Sequence, residues 1–439
     1  MNEVHDFIGV GVGPAHLALA IALHERSENL GRALSVRFLE RKGAFSWHPE
    51  MLIPGATVQV SFLKDLVTLR NPRSEFSFLN YLRNHGRLEH FVNLKEWYPS
   101  RLEFSSYFAW VAKCFANDLH YEHKVTKLAV AMRAGQPVFQ LSADVGERGK
   151  QRVFYARNIS LACGGTPHIP AYALTHIDGK AACHASKYLS SIAHLRHKQE
   201  HPYVFTVVGR GQSSVEIVTN LLETFPNATV HVVIHGHSFM AVDDNPFLNE
   251  VFFCDTVDTF TSASSASRAR LHEECKRTNY SVADADLLQH LYKLMYVDRV
   301  GGRERLLLHR RSPIIGFESD QTSSCVMISD AQGGEAKRLR SDLTIFATGY
   351  QRTEASALLS GIANHLQRNP DESLQVDRFY RVETRDLGQL QLFIQGETEE
   401  FHGISNSLLS ILPFRSAEIA QLIGDSSVLS AQRGHHAAA

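Results

Sequence analysis

The chain carries one local pattern twice, and that pair narrows its fold more than any other feature. Near the start, "FIGVGVGPAHLALAIAL" occupies residues 7–23; near the middle, "VVGRGQSSVEIV" occupies residues 207–218. Each reads as a short apolar strand, a glycine-rich turn and the first turns of a helix. Residues 35–39 read as the next strand after the first, and residues 229–234 as the next strand after the second. Each is a βαβ unit, the arrangement that sets a nucleotide pyrophosphate against a helix N-terminus. A chain of 439 residues has room for two such units, each with its own core.

In the first loop Gly9, Gly11 and Pro14 give GxGxxP, with Gly13 just before the proline. The glycines permit a tight turn and close backbone approach to a pyrophosphate. Pro14 fits the first helical turn, where its missing N–H costs nothing. Glu40 ends the second strand. A carboxylate there accepts hydrogen bonds from ribose hydroxyls and repels a 2′-phosphate, which points to FAD or NAD rather than NADP. In the second loop Gly209, Gly211 and Ser214 give GxGxxS, with Gln212 and Ser213 opening the helix. No acidic residue ends the strand at Ile234, and Arg210, His235 and His237 are the candidates to meet a 2′-phosphate, so NADPH is favoured over NADH. Either loop alone is also compatible with a turn that merely packs a helix on a sheet. The two together argue for a flavin held in one unit and a nicotinamide visiting the other.

The bulk numbers exclude several classes. Net charge is −1, so no global field recruits nucleic acid or an anionic membrane. The longest apolar runs fall short of a bilayer span, and no stable membrane association is expected. The six cysteines are scattered without CxxC or CxxxxC, which excludes a two-nucleotide disulfide reductase and suggests neither a zinc site nor a disulfide framework. Histidine is plentiful at 24, but without HExxH or comparable spacing no metal site is expected. The first residues run almost straight into a strand, so no signal peptide is read and a reduced, cytoplasmic setting is expected.

Between and beyond the loops, helical patterns fall at 76–84 and 101–117, and strand patterns at 120–128, 138–141 and 153–162. "CGGTPHIP" breaks the chain and reads as a domain crossing. Residues 247–299 read as helical with polar faces. Strands resume at 306–308, 324–328 and 343–346. The fold class is α/β, with two Rossmann-like dinucleotide-binding domains and a small, mostly helical substrate-binding region.

The pieces "FSWHPEMLIP", "VQVSFLKDLVTLRNP", "SFLNYL", "GRGQSSVE", "DDNPFLNEVF", "TNYSV", "DLTIFATGY" and "HGISNSLLS" occur in this order. In these the chain resembles the flavin-dependent N-hydroxylating monooxygenases of siderophore biosynthesis, in particular the L-ornithine N5-monooxygenase type, from Phe7 to about Ile423. The resemblance implies FAD and NADPH as cofactors, O2 as co-substrate and N5-hydroxylation of L-ornithine through a C4a-hydroperoxyflavin. L-lysine, putrescine and cadaverine are the alternative amines; a diamine needs no carboxylate partner, so Lys64 speaks against the last two. The reacting amine must be neutral, and presenting that form at pH 7 costs about 4.6 kcal/mol. A pocket of low dielectric offsets part of that cost.

The resemblance also implies site residues. Lys64 would meet the amino-acid carboxylate; by itself it also reads as a solvated loop lysine. Asn249 would hold the α-amino end, and Asn279 would meet both substrate and nicotinamide cofactor. These three are the candidate catalytic and substrate residues, as positioning groups, with Gln59 and Ser405 beside them. Gln59 would lie near the isoalloxazine. Trp47 and His48 read as flavin-domain contacts, with core packing the alternative for Trp47. "HGISNSLLS" would open a helix whose N-terminus faces the flavin pyrimidine, with Ser405, Asn406 and Ser407 in contact. Arg210 stands where relatives often carry glycine, and Ile404 and Asn406 depart from the common "HGLSD". The expected FAD domain comprises residues 1–165 and 341–425, the NADPH domain 166–245 and 301–340, and the helical substrate region 246–300, with 426–439 a disordered tail. A homo-oligomer is expected.

Overall fold

The computed structural model describes residues 3–147, 149–177, 180–329, 336–351 and 354–437. The first strand, Val4–Val10, is buried along nearly its whole length, the mark of a parallel strand covered on both faces. It pairs in parallel with Val36–Leu39 on one side and Lys150–Leu161 on the other. Gln391–Ile394 also runs parallel to Lys150–Leu161, and His123–Arg133 and Gln136–Val145 extend this seven-stranded sheet as an antiparallel meander. The helix Pro14–Leu30 is buried on every side from His16 to Leu23, because the sheet lies beneath it and the helix Leu412–Ala437 packs along it. It ends on Gly31 at φ 60°, a left-handed cap suited to glycine.

The second sheet is wholly parallel, in the order Leu306–His309, Thr229–Val233, Val204–Val208, Leu343–Phe346, Ala182–His184. The helix Gln212–Thr224 covers it, with residues 214–222 buried. A small antiparallel sheet of Ile314–Ser319, Ser324–Ile328 and Lys337–Ser341 packs on its other side through Phe317, Val326 and Leu339 against Val208 and Phe346. The chain leaves the first sheet through "CGGTPHIP" and returns through "ATGYQ", and these two crossings pair as an antiparallel ribbon, Thr166–Pro167 with Tyr350–Gln351. The return therefore comes later than the boundary expected at 341. The strand Leu343–Phe346 takes its hydrogen bonds from Val204–Val208 and Ala182–His184, so it belongs to the second sheet.

Residues 247–299 are helical as expected, as Leu248–Phe252, Cys254–Ser262, Ser265–Cys275 and Ala285–Val300. Backbone bonds lace this region to the segment after the second unit's strands: Val242 N–H to Ala283 O at 2.9 Å, Ala283 N–H to Met240 O at 2.9 Å and Asp243 N–H to Arg277 O at 3.0 Å. Two expectations for the C-terminal part are corrected. "HGISNSLLS" forms two single turns, Ile404–Ser407 and Leu409–Ile411, and the long helix begins only at Leu412, because Leu408 has extended backbone at φ −105°, ψ 162°. The segment from 426 continues that helix to Ala437 rather than ending it, since no proline interrupts the run; residues 438 and 439 lie outside the described residues. Among the described residues no helix is long and apolar enough to cross a membrane.

Candidate functional site

The first loop is shaped by two close approaches. A Cβ on Gly9 would collide with the Phe38 ring and lie 3.1 Å from the His16 ring. Gly11 has φ +95°, and a Cβ there would lie 2.5 Å from the carbonyl oxygen of Ala162. Gly13 is different: its backbone is extended, and a Cβ would meet nothing within 4 Å. It caps the helix Pro14–Leu30, which has no side-chain cap and no acidic residue in its first turn. The helix end is open, its N–H groups and positive dipole end facing outward. Glu40, 7% exposed, accepts from Val12 N–H at 2.7 Å and Lys42 N–H at 2.9 Å. Its first task is to tie the loop to the end of the second strand; each oxygen retains a further lone pair.

His16 is a part of this loop that the sequence reading missed. It is fully buried, and burial pulls its proton affinity down to about 4. Its Nδ1 is 2.6 Å from Gly11 O and its Nε2 is 3.0 Å from Ser160 Oγ, which in turn accepts from Gln395 Nε2 at 3.0 Å. The neutral ring with hydrogen on Nδ1 satisfies this chain, so Gln395, Ser160 and His16 hold the Gly11 carbonyl from below. Only its position inside an apolar helix face hinted at this.

The second loop repeats the design. Gly209 has φ +139°, and a Cβ there would collide with the carbonyl of Ala347, so the "ATG" strand end passes directly against it. Gly211 caps the helix Gln212–Thr224, again without a side-chain cap or an acidic first turn. Ser214 Oγ donates to Gly209 O at 2.8 Å and fixes the turn, while Ser213 is exposed. The Arg210 guanidinium lies over Gly236, just beyond the strand Thr229–Val233, as a Cβ built on Gly236 would collide with it. Arg311 N–H donates to Gly236 O at 3.0 Å, and the Arg310 guanidinium donates to His237 O. Two guanidiniums, those of Arg210 and Arg310, thus lie at the turn that follows this strand, of which the sequence reading had named Arg210.

The substrate candidates sit on separate segments. Lys64 is half-buried, and desolvation pulls its ammonium below the ordinary lysine range. Its Nζ stands 5.7 Å from the centre of the Phe252 ring, which places "FLKDL" against "NPFLNEVF". Asp65 beneath it is 2% exposed and accepts from the N–H groups of Val67, Thr68 and Phe78 at 2.6–2.9 Å, holding the lysine loop to the helix Phe78–Asn84. Asn249 Nδ2 donates to Asp244 O at 2.9 Å, which leaves its Oδ1 as the acceptor. Asn279 follows the single turn Lys276–Thr278, and two residues on, Ser281 Cα lies 3.9 Å from a Cβ built on Gly211. Gln59 is exposed on its segment and approaches the Asp284 carboxyl group, which is hydrogen-bonded by Gln212.

The C-terminal motif closes the other side. Gly403, at φ +86°, lies under the Phe260 ring, and a Cβ there would be 2.7 Å from it. Ser405 and Asn406 are buried and Ser407 is partly open. Arg415, 1% exposed, donates to Asn406 O at 2.6 Å and to its Oδ1 at 2.9 Å, while Asn406 Nδ2 is buried with no acceptor among the described residues. That orphaned donor suits a carbonyl-bearing ring. Trp47 packs edge-on to Phe108, with centroids 5.0 Å apart, so core packing accounts for much of it. His48, at φ 45°, sits between Trp47 and Tyr350 and so touches the crossing ribbon.

Comparison with known proteins agrees with this geometry. Residues 3–352 match the family described as L-lysine 6-monooxygenase/L-ornithine 5-monooxygenase. The L-ornithine N(5)-monooxygenase of Pseudomonas aeruginosa is 36% identical over 422 residues, covering 95% of this chain and 93% of that protein. The structure of the ornithine N-hydroxylase of Kutzneria sp. 744 with reduced FAD, NADP+ and L-ornithine superposes with a TM-score of 0.90 at 34% identity, over 97% of this chain and all of that one. The L-lysine 6-monooxygenase of Pseudomonas syringae superposes less closely, with a TM-score of 0.83 at 31% identity, covering 96% of this chain and 99% of that one. By sequence and by fold, the chain belongs to the L-lysine 6-monooxygenase/L-ornithine 5-monooxygenase family.

Proposed function

We propose that this chain holds FAD at the first loop, binds NADPH at the second, and hydroxylates the side-chain amine of L-ornithine at N5 with O2. The observation that carries the reading is the meeting of separate segments around the second loop, Gln212 with Asp284 and Ser281 against Gly211, while Lys64 stands against Phe252. The FAD unit is residues 1–165 together with the part after the ribbon, the NADPH unit is the insertion between the two crossings, and 246–300 covers the substrate. The uncapped helix end at Gly13 fits a pyrophosphate, and the Asn406 donor fits a flavin carbonyl. At the second loop, Gly211 offers a matching helix end and Arg210 a charge partner for a 2′-phosphate. When bound, NADPH supplies the hydride and FAD the oxygen-activating chemistry.

The chain's own side chains then bind and orient. Lys64 pairs with the substrate carboxylate, a charge-assisted contact strengthened by its half-buried position. Asn249 Oδ1 accepts from the α-ammonium, the side chain being oriented by the bond its Nδ2 donates to Asp244 O. Asn279 reaches from the Gly211 side to both substrate and nicotinamide cofactor. Phe252, Phe260 and the crossing segments exclude water, and that low dielectric favours the neutral form of the reacting amine. Ornithine is favoured over lysine because the ornithine hydroxylase superposes more closely than the lysine enzyme. We place the enzyme in the cytoplasm, as a homo-oligomer. A hydroxylamine assay with FAD, NADPH and, in turn, L-ornithine, L-lysine, putrescine, cadaverine or no amine tests the reading. Product from ornithine alone is expected; product mainly from another amine refutes the substrate assignment, and NADPH oxidation without product from any refutes the hydroxylase reading.

A further inference from the structure

We propose that Arg101 and Glu216 are a positioning pair that sets the second glycine loop in register with the segment carrying Gln59 and Lys64, and so governs hydride delivery from NADPH. The proposal rests on the NADPH reading of that loop. Arg101 is the first residue of the helix Arg101–Cys114, and its guanidinium is divided between two neighbours. On one side it donates to the carbonyls of Met51 at 2.8 Å and Thr57 at 3.3 Å. On the other it grips both oxygens of Glu216, at 2.8 and 2.6 Å. Glu216 belongs to the helix Gln212–Thr224, which springs from Gly211, and the two side chains are only 12% and 4% exposed.

The network does not stop there. Gln212 Nε2 donates to Glu216 Oε1 at 3.0 Å and to Asp284 Oδ2 at 3.0 Å, while its Oε1 accepts from Asp284 N–H at 2.9 Å. Asp284 precedes the helix Ala285–Val300. One continuous set of bonds therefore joins the 51–57 segment, which leads into Gln59 and Lys64, the start of the 101 helix, the second loop's helix and the helical region over the substrate.

A buried ion pair is poor value as a source of stability, because two desolvated charges cost about as much as their attraction returns; its best-attested use is to fix register. The forked geometry supports that use, since a bidentate contact holds angle as well as distance. Hydride transfer depends steeply on that register, and a misplacement of about 1 Å costs on the order of 100-fold in rate. Neither side chain lies among the segments that meet at Lys64, so the pair acts through the loops it joins.

The test compares wild type with Glu216→Gln, which keeps the shape but loses the charge, and Arg101→Lys, which keeps the charge but loses the fork. Four quantities are read: FAD content, Kd for NADP+ by calorimetry, the anaerobic rate of flavin reduction by NADPH, and KM for L-ornithine. Expected for both variants are normal FAD content, an ornithine KM within about twofold, weaker NADP+ binding, and a reduction rate at least tenfold lower. Reduction within twofold of wild type would overturn the proposal. So would a parallel loss of FAD content and ornithine binding, which is the signature of general unfolding. If Glu216→Gln does not fold, Arg101→Lys alone decides by the same split, and failure of both to fold overturns a role confined to register. Wild type that is not reduced by NADPH at all would sink the cofactor reading itself, an outcome distinct from any difference between variants.

Discussion

Alanine at position 11 and alanine at position 13 are expected to fail for opposite reasons, although the two glycines share one loop. At Gly11 the backbone has φ +95°, and the new Cβ would stand 2.5 Å from Ala162 O and 3.2 Å from its carbonyl carbon. An L-residue pays about 1–2 kcal/mol for left-handed backbone. Overpacking adds about 1–3 kcal/mol, and here the obstacle cannot rotate away, because Ala162 N–H is bonded to Val10 O at 3.1 Å. Gly11→Ala should therefore lower the stability of the FAD-free protein by about 2–5 kcal/mol. At Gly13 the backbone is extended and the new methyl meets no protein atom within 4 Å. Gly13→Ala should leave the FAD-free protein within about 1 kcal/mol of wild type, because the gain from a less flexible unfolded chain is opposed by alanine's poorer fit as an N-cap. Its methyl nevertheless projects at the open helix end where the pyrophosphate would approach, so FAD affinity should fall at least tenfold, about 1.4 kcal/mol. Urea unfolding of the FAD-free proteins and titration with FAD, followed by flavin fluorescence, separate the two quantities. Wild-type FAD affinity in Gly13→Ala would refute the placement of the phosphates, and wild-type stability in Gly11→Ala would refute the close approach.

Lys64→Ala should raise the KM for ornithine and lower kcat/KM about 10–100-fold, the loss of a hydrogen bond to a charged group, while the spectrum of bound FAD stays the same; an unaltered KM removes Lys64 from the carboxylate role. Arg210→Ala should reduce the preference for NADPH over NADH about tenfold or more, read as the ratio of kcat/KM for the two, and an unchanged ratio shows that the 2′-phosphate lies elsewhere. For His16, burial pulls the folded value down to about 4 from 6.5, so between those pH values the unfolded chain binds a proton that the folded chain refuses. Its contribution is intact above pH 6.5 and is lost as pH falls toward 4, about 3 kcal/mol in all. In His16→Gln the dependence of unfolding free energy on pH across that window should be shallower by up to one proton, and an unchanged slope refutes the assignment.

What the sequence disclosed is what short-range periodicity carries. Both βαβ units, the helical stretch after 246 and the crossing at "CGGTPHIP" were legible because each is written in neighbouring residues. Glu40 was found at the right strand end, yet its bonds to Val12 and Lys42 were invisible, since nothing in a carboxylate says which donors it will meet. The strand Ala182–His184 was missed because three residues are too few to show a period. "HGISNSLLS" carries helix-compatible residues, and only the extended backbone at Leu408 delays the helix to Leu412. Arg101 and Glu216 stand 115 residues apart, and each alone reads as an ordinary charge on a helix. Long-range pairing of this kind leaves no local trace in one sequence.

The paired crossings have a consequence for how the protein is made. The second unit enters and leaves through one ribbon, so all of its strands are available once residue 346 has emerged. The first unit must wait: Gln391–Ile394 pairs with a strand begun at Lys150, and Arg26 of the helix Pro14–Leu30 is tied to Asp425. During synthesis the inner unit can thus be complete while the outer one still exposes an open sheet and a naked helix face. Closure across some 400 residues comes late, after the chain's last helix appears. A truncation that removes only the final helix should therefore spare the fold of the nucleotide-binding insertion and destroy the unit whose first strand was synthesised earliest.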